Sequence, residues 1–351
     1  LADAVDLERG MSPRATNRPA PARGPVRVGL VGLGRAGWGM HCDELDLRPD
    51  TFRLVAGCDI EGDRLERFAG RYPQAATYGR IELLLADPNV ELVAIATRSP
   101  DHVPHALAAL RAGKKVFLEK PVALTLVGAG KLAAAAKAGP GALFVRHNRR
   151  FEPAFVHVRE MIASGVLGKV HTVQLRRNGF TFRDDWQTIR RCGGGQLLNW
   201  GPHIIDHALQ LLGGPPANVW GDLKRIAARG GEPEWLVLGS RGALACSGGA
   251  VTLRHLAPGA KVPPARASAA TPPMEGPYHR VGSGREPKWI SRQYPCPALC
   301  QPDAIWDALY ASIRLGKRFP ITLSQSLDVM RVIAQVRKGT RFDTLGKHRG
   351  L

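Results

Sequence analysis

At 351 residues the chain exceeds one ordinary hydrophobic core and suffices for two, of roughly 130 to 200 residues each. Hydrophobic residues make up 44% and charged residues 23%, as in soluble globular proteins, and no apolar run reaches the roughly 18 to 20 residues that a membrane helix needs. The net charge of +19 is spread along the chain without a basic helix or an aromatic-basic ladder, which argues against a nucleic-acid partner and leaves room for an acidic small molecule or surface.

In chain order, residues 1–25 are rich in Arg, Pro and Ala, lack a signal-type apolar stretch and read as a disordered leader. From Val26 short apolar runs alternate with amphipathic ones, the pattern of strands buried on both faces and covered by helices. "VRVGLVGLG", "RLVAGCD", "ATY", "VELVAIAT", "KVFLEK" and "GALFVRH" read as strands, with helices over 36–47, 63–72, 81–86, 104–112 and 123–138 between them. Residues 26–148 thus read as an α/β domain, a doubly wound parallel sheet of Rossmann type. The grammar then changes. A helix at 151–168 and a strand at 169–178 precede an apolar helix after Gly201, and "ANVWGDLKRIA", "EWLVLGS", "ALACS" and "AVTLRHL" read as antiparallel strands. Residues 257–299 are Pro-rich and read as a long loop, followed by helices at 302–315 and 323–338. The C-terminal domain, 149–345, is therefore expected to be α+β with a mostly antiparallel sheet, its closing helices free to pack back on the first domain. Six cysteines without repeated spacing read as reduced thiols of a cytoplasmic protein, with neither disulfide nor metal site expected.

"GLGRAG" follows the first strand directly and opens a helix. Gly32, Gly34 and Gly37 would permit a tight turn, approach of a pyrophosphate to the backbone and close helix-strand packing. Arg35 and Ala36 lie within the same loop. Asp59 ends the second strand 22 positions after Gly37, where a carboxylate accepts bonds from ribose hydroxyls and repels a 2′-phosphate. The pattern points to NAD, with NADP less favoured because of that charge. Glu119 and Lys120 stand at the carboxyl end of a strand, the edge where open α/β sheets bind ligands; a surface ion pair is the competing reading.

Together with "ATRSPDHVPHALAALRAGKKVFLEKP", "RHNRRFEPAF", "GGGQLLNWGPHIIDHALQLLG" and "LYASIRLGKRFPITLSQSLDVMRVI", these motifs resemble the Gfo/Idh/MocA oxidoreductases over roughly residues 26–340. The resemblance implies a dehydrogenase or reductase acting on the hydroxyl groups of sugars, cyclitols or their derivatives. It also implies a C-terminal domain that carries substrate and forms a homo-oligomer through its sheet. Hydride transfer from a carbinol needs a base for the hydroxyl proton and a cation near the developing oxygen charge. The resemblance puts His203 and Lys120 in those roles. Thr97 and His102, with Glu119 and Lys120, match cofactor-lining positions, Lys120 also touching the nicotinamide ribose. Arg149 and Trp186 match contacts to substrate or nicotinamide, Trp186 having an interface anchor as its alternative.

One departure concerns "LLNWGPHIID". The family pattern has an acid four positions before the histidine, and here that position is Asn199, which offers hydrogen bonds but no charge. Asp206, three residues beyond His203, would either take part of the acid's role or brace the domain interface. A second departure is the short crossing at 226–234, where relatives carry one or two more strands. Two other functions fit the same residues: a glycoside hydrolase working by transient oxidation with bound NAD, and a non-catalytic cofactor-binding regulator.

Overall fold

The computed structural model describes residues 24–139, 142–176, 186–223, 235–247, 250–261, 288–295, 302–340 and 342–343. Residues 1–23 of the expected leader, the stretch 177–185, the short crossing at 226–234, most of the Pro-rich segment and the pair Cys296 and Cys300 lie outside the described residues.

The N-terminal half is a six-stranded parallel sheet: β1 (Val26–Val31), β2 (Phe52–Cys58), β3 (Ala76–Tyr78), β4 (Leu92–Ile95), β5 (Lys115–Glu119) and β6 (Leu143–Arg146), in the order β3-β2-β1-β4-β5-β6. All four residues of β4 are buried, as expected of a strand covered on both faces. The order reverses between β1 and β4, so their carboxyl ends open the crevice in which such sheets bind ligands. The helix after β1 opens with a wide π-helical turn, Gly37–Cys42, and continues as α1 (Asp43–Asp46). The covering helices are α2 (Gly62–Arg71), α3 (Ile81–Ala86), α4 (His102–Arg111) and α5 (Leu126–Ala138). The last starts three residues later than its apolar pattern suggests, because Thr125 caps it by accepting the Gly128 amide at 3.1 Å.

The second half pairs α6 (Pro153–Ala163), α7 (Gln196–Asn199) and α8 (Gly201–Leu212) with a five-stranded antiparallel sheet. Its strands are β7 (Val170–Leu175), β8 (Trp235–Gly239), β9 (Gly242–Ser247), β10 (Ala250–Leu256) and β11 (Trp289–Pro295), in the order β11-β10-β9-β8-β7. Two expectations are corrected here. Residues 217–223 form no strand, and β11 lies inside the segment read as loop. β11 is an edge strand with little buried surface, so its sequence "WISRQYP" lacks the alternation that marks a half-buried strand.

The closing helices α9 (Ala304–Arg314) and α10 (Leu323–Arg337) return to the parallel sheet. Ile305, Trp306, Leu309 and Tyr310 pack with Val26, Leu30, Phe52 and Phe117, while Val329, Met330 and Ile333 pack with Leu118, Leu132 and Val145. Trp306 is fully buried, its ring edge-on to Phe52 and Phe117 at 5.2 and 4.7 Å. A separate cluster of Phe155, Val158, Leu211, Trp235, Val237 and Leu253 joins α6 and α8 to the antiparallel sheet. The chain's two ends thus stabilise the first domain together, and α8 lies between both cores, since Leu209 belongs to the first-domain cluster.

Candidate active site

The glycine loop is built for close approach. Gly32 has φ +92°, and a Cβ there would come within 2.8 Å of the Ala96 and Thr97 backbone; at Gly37 it would lie 1.9 Å from the Gly32 carbonyl oxygen. At Gly34 the nearest atom would be 3.9 Å away, an Arg64 guanidinium nitrogen, so the backbone there faces open space. Asp59, only 7% exposed, accepts the Leu33 amide at 2.7 Å and the Glu61 amide at 3.1 Å, and pairs with Arg64 at 3.2 Å. It braces the loop. Arg35 is exposed and donates to Gln187 at 3.2 Å, which ties the 186–195 segment of the second domain to the loop; Ala36 is half-buried.

At the carboxyl end of β5 the two adjacent side chains of the Glu-Lys-Pro motif divide. Glu119 turns inward. It accepts from Arg146 at 2.9 Å and contacts His41 at 3.1 Å, while Arg146 also holds Glu44, which accepts the Trp306 indole N–H at 2.6 Å. Burial alone would raise the Glu119 carboxyl, but Arg146 and then His41 and Lys120 hold it well below the usual carboxylate range. Glu119 is therefore a buried counter-ion that joins the glycine-loop helix, β6 and α9, rather than a side chain presented to a ligand. Lys120 turns the other way and donates through Nζ to the Asn199 carbonyl oxygen at 3.1 Å. Its bond to Pro121 is cis.

Two loop residues support this edge. His102 is buried, with Nδ1 2.7 Å from the Pro121 oxygen and Nε2 3.1 Å from the Thr97 oxygen. Burial lowers its pKa, against the two carbonyl contacts, which raise it. His102 therefore ties the Thr97 loop to the Glu-Lys-Pro turn and does not face the crevice. Thr97 itself is half-buried, its hydroxyl 3.3 Å from His105 Nδ1.

From the second domain, α8 brings His203 toward Lys120. Its ring is nearly buried, and Nδ1 has no hydrogen-bond partner among the described residues. Desolvation, reinforced by Lys120, His147 and Arg149, holds its pKa well below the usual imidazole value, so the ring is neutral. Asn199, one turn earlier, engages Lys120 through its backbone. Asp206 is committed elsewhere: it receives Arg150 Nε at 2.7 Å and a second guanidinium bond, and Arg150 also donates to Gln325 of α10 at 2.9 Å. Asp206 thus braces the domain interface, the second of the two roles the sequence left open.

His203 lines a pocket with Arg149, Leu175, Arg176, Trp200, Ile204, His207 and Trp235. Leu175 and Trp235 face each other across β7 and β8 and form its sheet wall. Arg149 lies over the Trp200 ring at 4.9 Å and pairs with Glu152. His207 stacks on Phe155 at 3.9 Å, its Nε2 3.1 Å from the Arg149 carbonyl oxygen. Trp186 is not among the lining residues; Trp200 and Trp235 are the pocket's indoles. Sequence reading missed His147, which the Glu119-to-Arg146 register sets beside Lys120 at the sheet edge, and also Arg176 and His207. Nothing local marks these residues: only the meeting of β6, β7 and α8 brings them together. Among the described residues no group of three metal-ligating side chains occurs, and no helix is long and apolar enough to cross a membrane.

Residues 26–147 match the Gfo/Idh/MocA profile described as an oxidoreductase family with an NAD-binding Rossmann fold, and residues 155–245 match that family's C-terminal domain. The chain belongs to the Gfo/Idh/MocA family. It is 32% identical over 194 residues to the scyllo-inositol 2-dehydrogenase (NADP(+)) IolW of Bacillus subtilis, a match covering 55% of this chain and 53% of that protein. It is 30% identical over 200 residues to the myo-inositol 2-dehydrogenase of Thermotoga maritima, covering 56% and 58%. These matches span little more than half the length of either relative. Among solved structures, yvaA of Bacillus subtilis superposes with a TM-score of 0.73 at 21% identity over 92% of this chain and 98% of that one, a likeness of fold.

Proposed function

We propose that the protein transfers a hydride between a nicotinamide dinucleotide, NAD in preference to NADP, and a hydroxyl or carbonyl group of a sugar, cyclitol or related compound. The observation that carries this reading is the meeting of Lys120 with the helix segment that bears His203. The Lys120 ammonium is bonded to the Asn199 carbonyl, one turn from a neutral imidazole, at the same sheet edge as the open glycine loop and Asp59. The inositol dehydrogenases among its relatives support the substrate class. The Asp59 carboxylate favours a ribose hydroxyl over a phosphate.

Gly32, Gly34 and Gly37 would receive the pyrophosphate at the helix N-terminus, and Asp59 the adenosine ribose. When bound, the nicotinamide supplies a two-electron acceptor or donor in the form of hydride. The protein supplies the proton chemistry. His203, neutral because it is desolvated and surrounded by cations, accepts the carbinol proton through a ring nitrogen as the hydride leaves. Lys120 donates to the same oxygen and stabilises the charge that develops on it. In the reverse direction His203 returns the proton to the carbonyl oxygen. Trp200 and Trp235 exclude water and offer flat apolar faces to the C–H side of a ring substrate.

The test is a fluorescence titration of the protein with NADH, followed by a screen of sugars and cyclitols for formation of NADH at 340 nm. Binding of NADH together with turnover that Lys120→Ala reduces is expected. Absence of any dinucleotide binding would sink the reading.

A further inference from the structure

The reacting centre accounts for Lys120 and His203 but leaves the outer pocket wall unexplained, and that wall is cationic. Arg149 and Arg176 both line it, and among the described residues no Asp or Glu does. Glu152 pairs with Arg149 from outside the lining and offsets that one charge. Arg176 is exposed at the end of β7 and has no acidic partner among the described residues. The remaining walls are Trp200, Trp235, Leu175 and Ile204, with the buried His203 and His207. Asn199 adds no negative charge.

A neutral polyol gains little from such a wall, because hydroxyl groups are matched as well by Asn, Gln or carboxylates, which accept hydrogen bonds that arginine cannot. Two guanidinium groups lining an aromatic pocket suit a planar or tetrahedral anion, whose oxygens take paired, charge-assisted hydrogen bonds. Resting on the reading of the site as a carbinol-oxidising centre, we propose that the substrate is an acid. It carries an anionic group, a carboxylate or a phosphate ester, held by Arg149 and Arg176 while its carbinol faces His203 and Lys120. Such a substrate also brings to His203 the negative charge that Asn199 lacks, so the anion assists the base as well as anchoring the molecule.

The inference is tested with matched pairs of compounds in the presence and absence of NADH, read by quenching of tryptophan fluorescence and by thermal shift. D-glucuronate and D-galacturonate are compared with D-glucose and D-galactose, and D-glucose 6-phosphate with D-glucose. At least one acid is expected to bind tenfold or more tightly than its neutral parent, with the advantage shrinking at 0.5 M salt, as about tenfold follows from one charge-assisted pair. Arg176→Gln should reduce that advantage to threefold or less while leaving NADH affinity unchanged. Preference for the uronates identifies a carboxylate site, and preference for the 6-phosphate a phosphate site. Equal or tighter binding of every neutral parent, failure of all the acids to bind, or an acid preference unchanged in Arg176→Gln would overturn the inference. If acids bind selectively but NADH does not bind, the oxidoreductase reading fails and the anion site stands.

Discussion

The Lys120 ammonium donates to the Asn199 carbonyl oxygen at 3.1 Å, so the cation at the end of β5 is tied to the helix segment one turn before His203. This hydrogen bond links the sheet edge of the first domain to the helix segment that precedes His203. Lys120→Ala removes both the bond and the charge offered to the reacting oxygen. A loss of at least about a hundredfold in kcat/KM is expected, within the range of one electrostatic stabiliser, while NADH affinity changes by less than about threefold. Stopped-flow measurement of NADH formation against substrate concentration checks it.

The His203 ring has no charged acceptor at Nδ1 and sits among cations, which keeps its pKa low. Asn199→Asp would add a carboxylate one turn away and raise that pKa. The acid limb of the kcat/KM profile should therefore move to higher pH by about one unit, a typical effect of one nearby charge, with faster turnover above it. An unmoved limb would mean that residue 199 only positions the helix.

Arg146 is fully buried between Glu119 and Glu44. Arg146→Met would leave the buried Glu119 and the half-buried Glu44 without the cation they share and cost about 3 to 5 kcal/mol, the usual penalty for breaking a buried pair. Urea unfolding measures it. The second variant Asp206→Asn breaks the Arg150 pair at the domain interface and should lower stability by a similar amount without altering the pH profile of catalysis.

His102, His147 and His203 are buried with pKa values lowered from 6.5, chiefly by desolvation. The unfolded chain therefore binds more protons than the folded one below pH 6.5, and stability must fall as the pH drops through that value toward the folded pKa values. Each such histidine contributes a slope of about 1.4 kcal/mol per pH unit over that window. A melting temperature that is flat above pH 7 and drops between pH 6.5 and 5 is expected; one that rises on acidification would contradict the burial of these rings. Glu119, held low by its cations, adds to the loss only below the usual carboxylate range.

Much of the fold could be read along the chain because it is written locally. β4 is a continuous apolar run and β1 is one interrupted only by the exposed Arg27, and Gly32 and Gly37 are positions where a Cβ would meet backbone. Of the candidate site, Asp59 was singled out by its spacing from the glycine loop, and Lys120 and His203 by the family resemblance. The site was not legible where charge pairing over long sequence distance decides the role. Glu119 faces inward because Arg146, 27 residues on, waits there, and Asp206 turns from His203 because Arg150 and Gln325 converge on it. His147 and Arg176 are unmarked in sequence, since each matters only through the strand edge on which it stands. β11 escaped because an edge strand buries too little to need alternation.

In the proposed reaction His203 is the proton acceptor in a hydride transfer to bound nicotinamide. Single-turnover reduction of NAD at 340 nm, with wild-type protein and His203→Ala across a panel of sugars, cyclitols and sugar acids, tests it most directly. At least one compound should reduce NAD in the wild type, and the variant should be slower by about a hundredfold or more, the scale of a lost general base, while binding NADH equally well. An undiminished rate in His203→Ala, or no reduction by any compound despite tight NADH binding, would contradict the account.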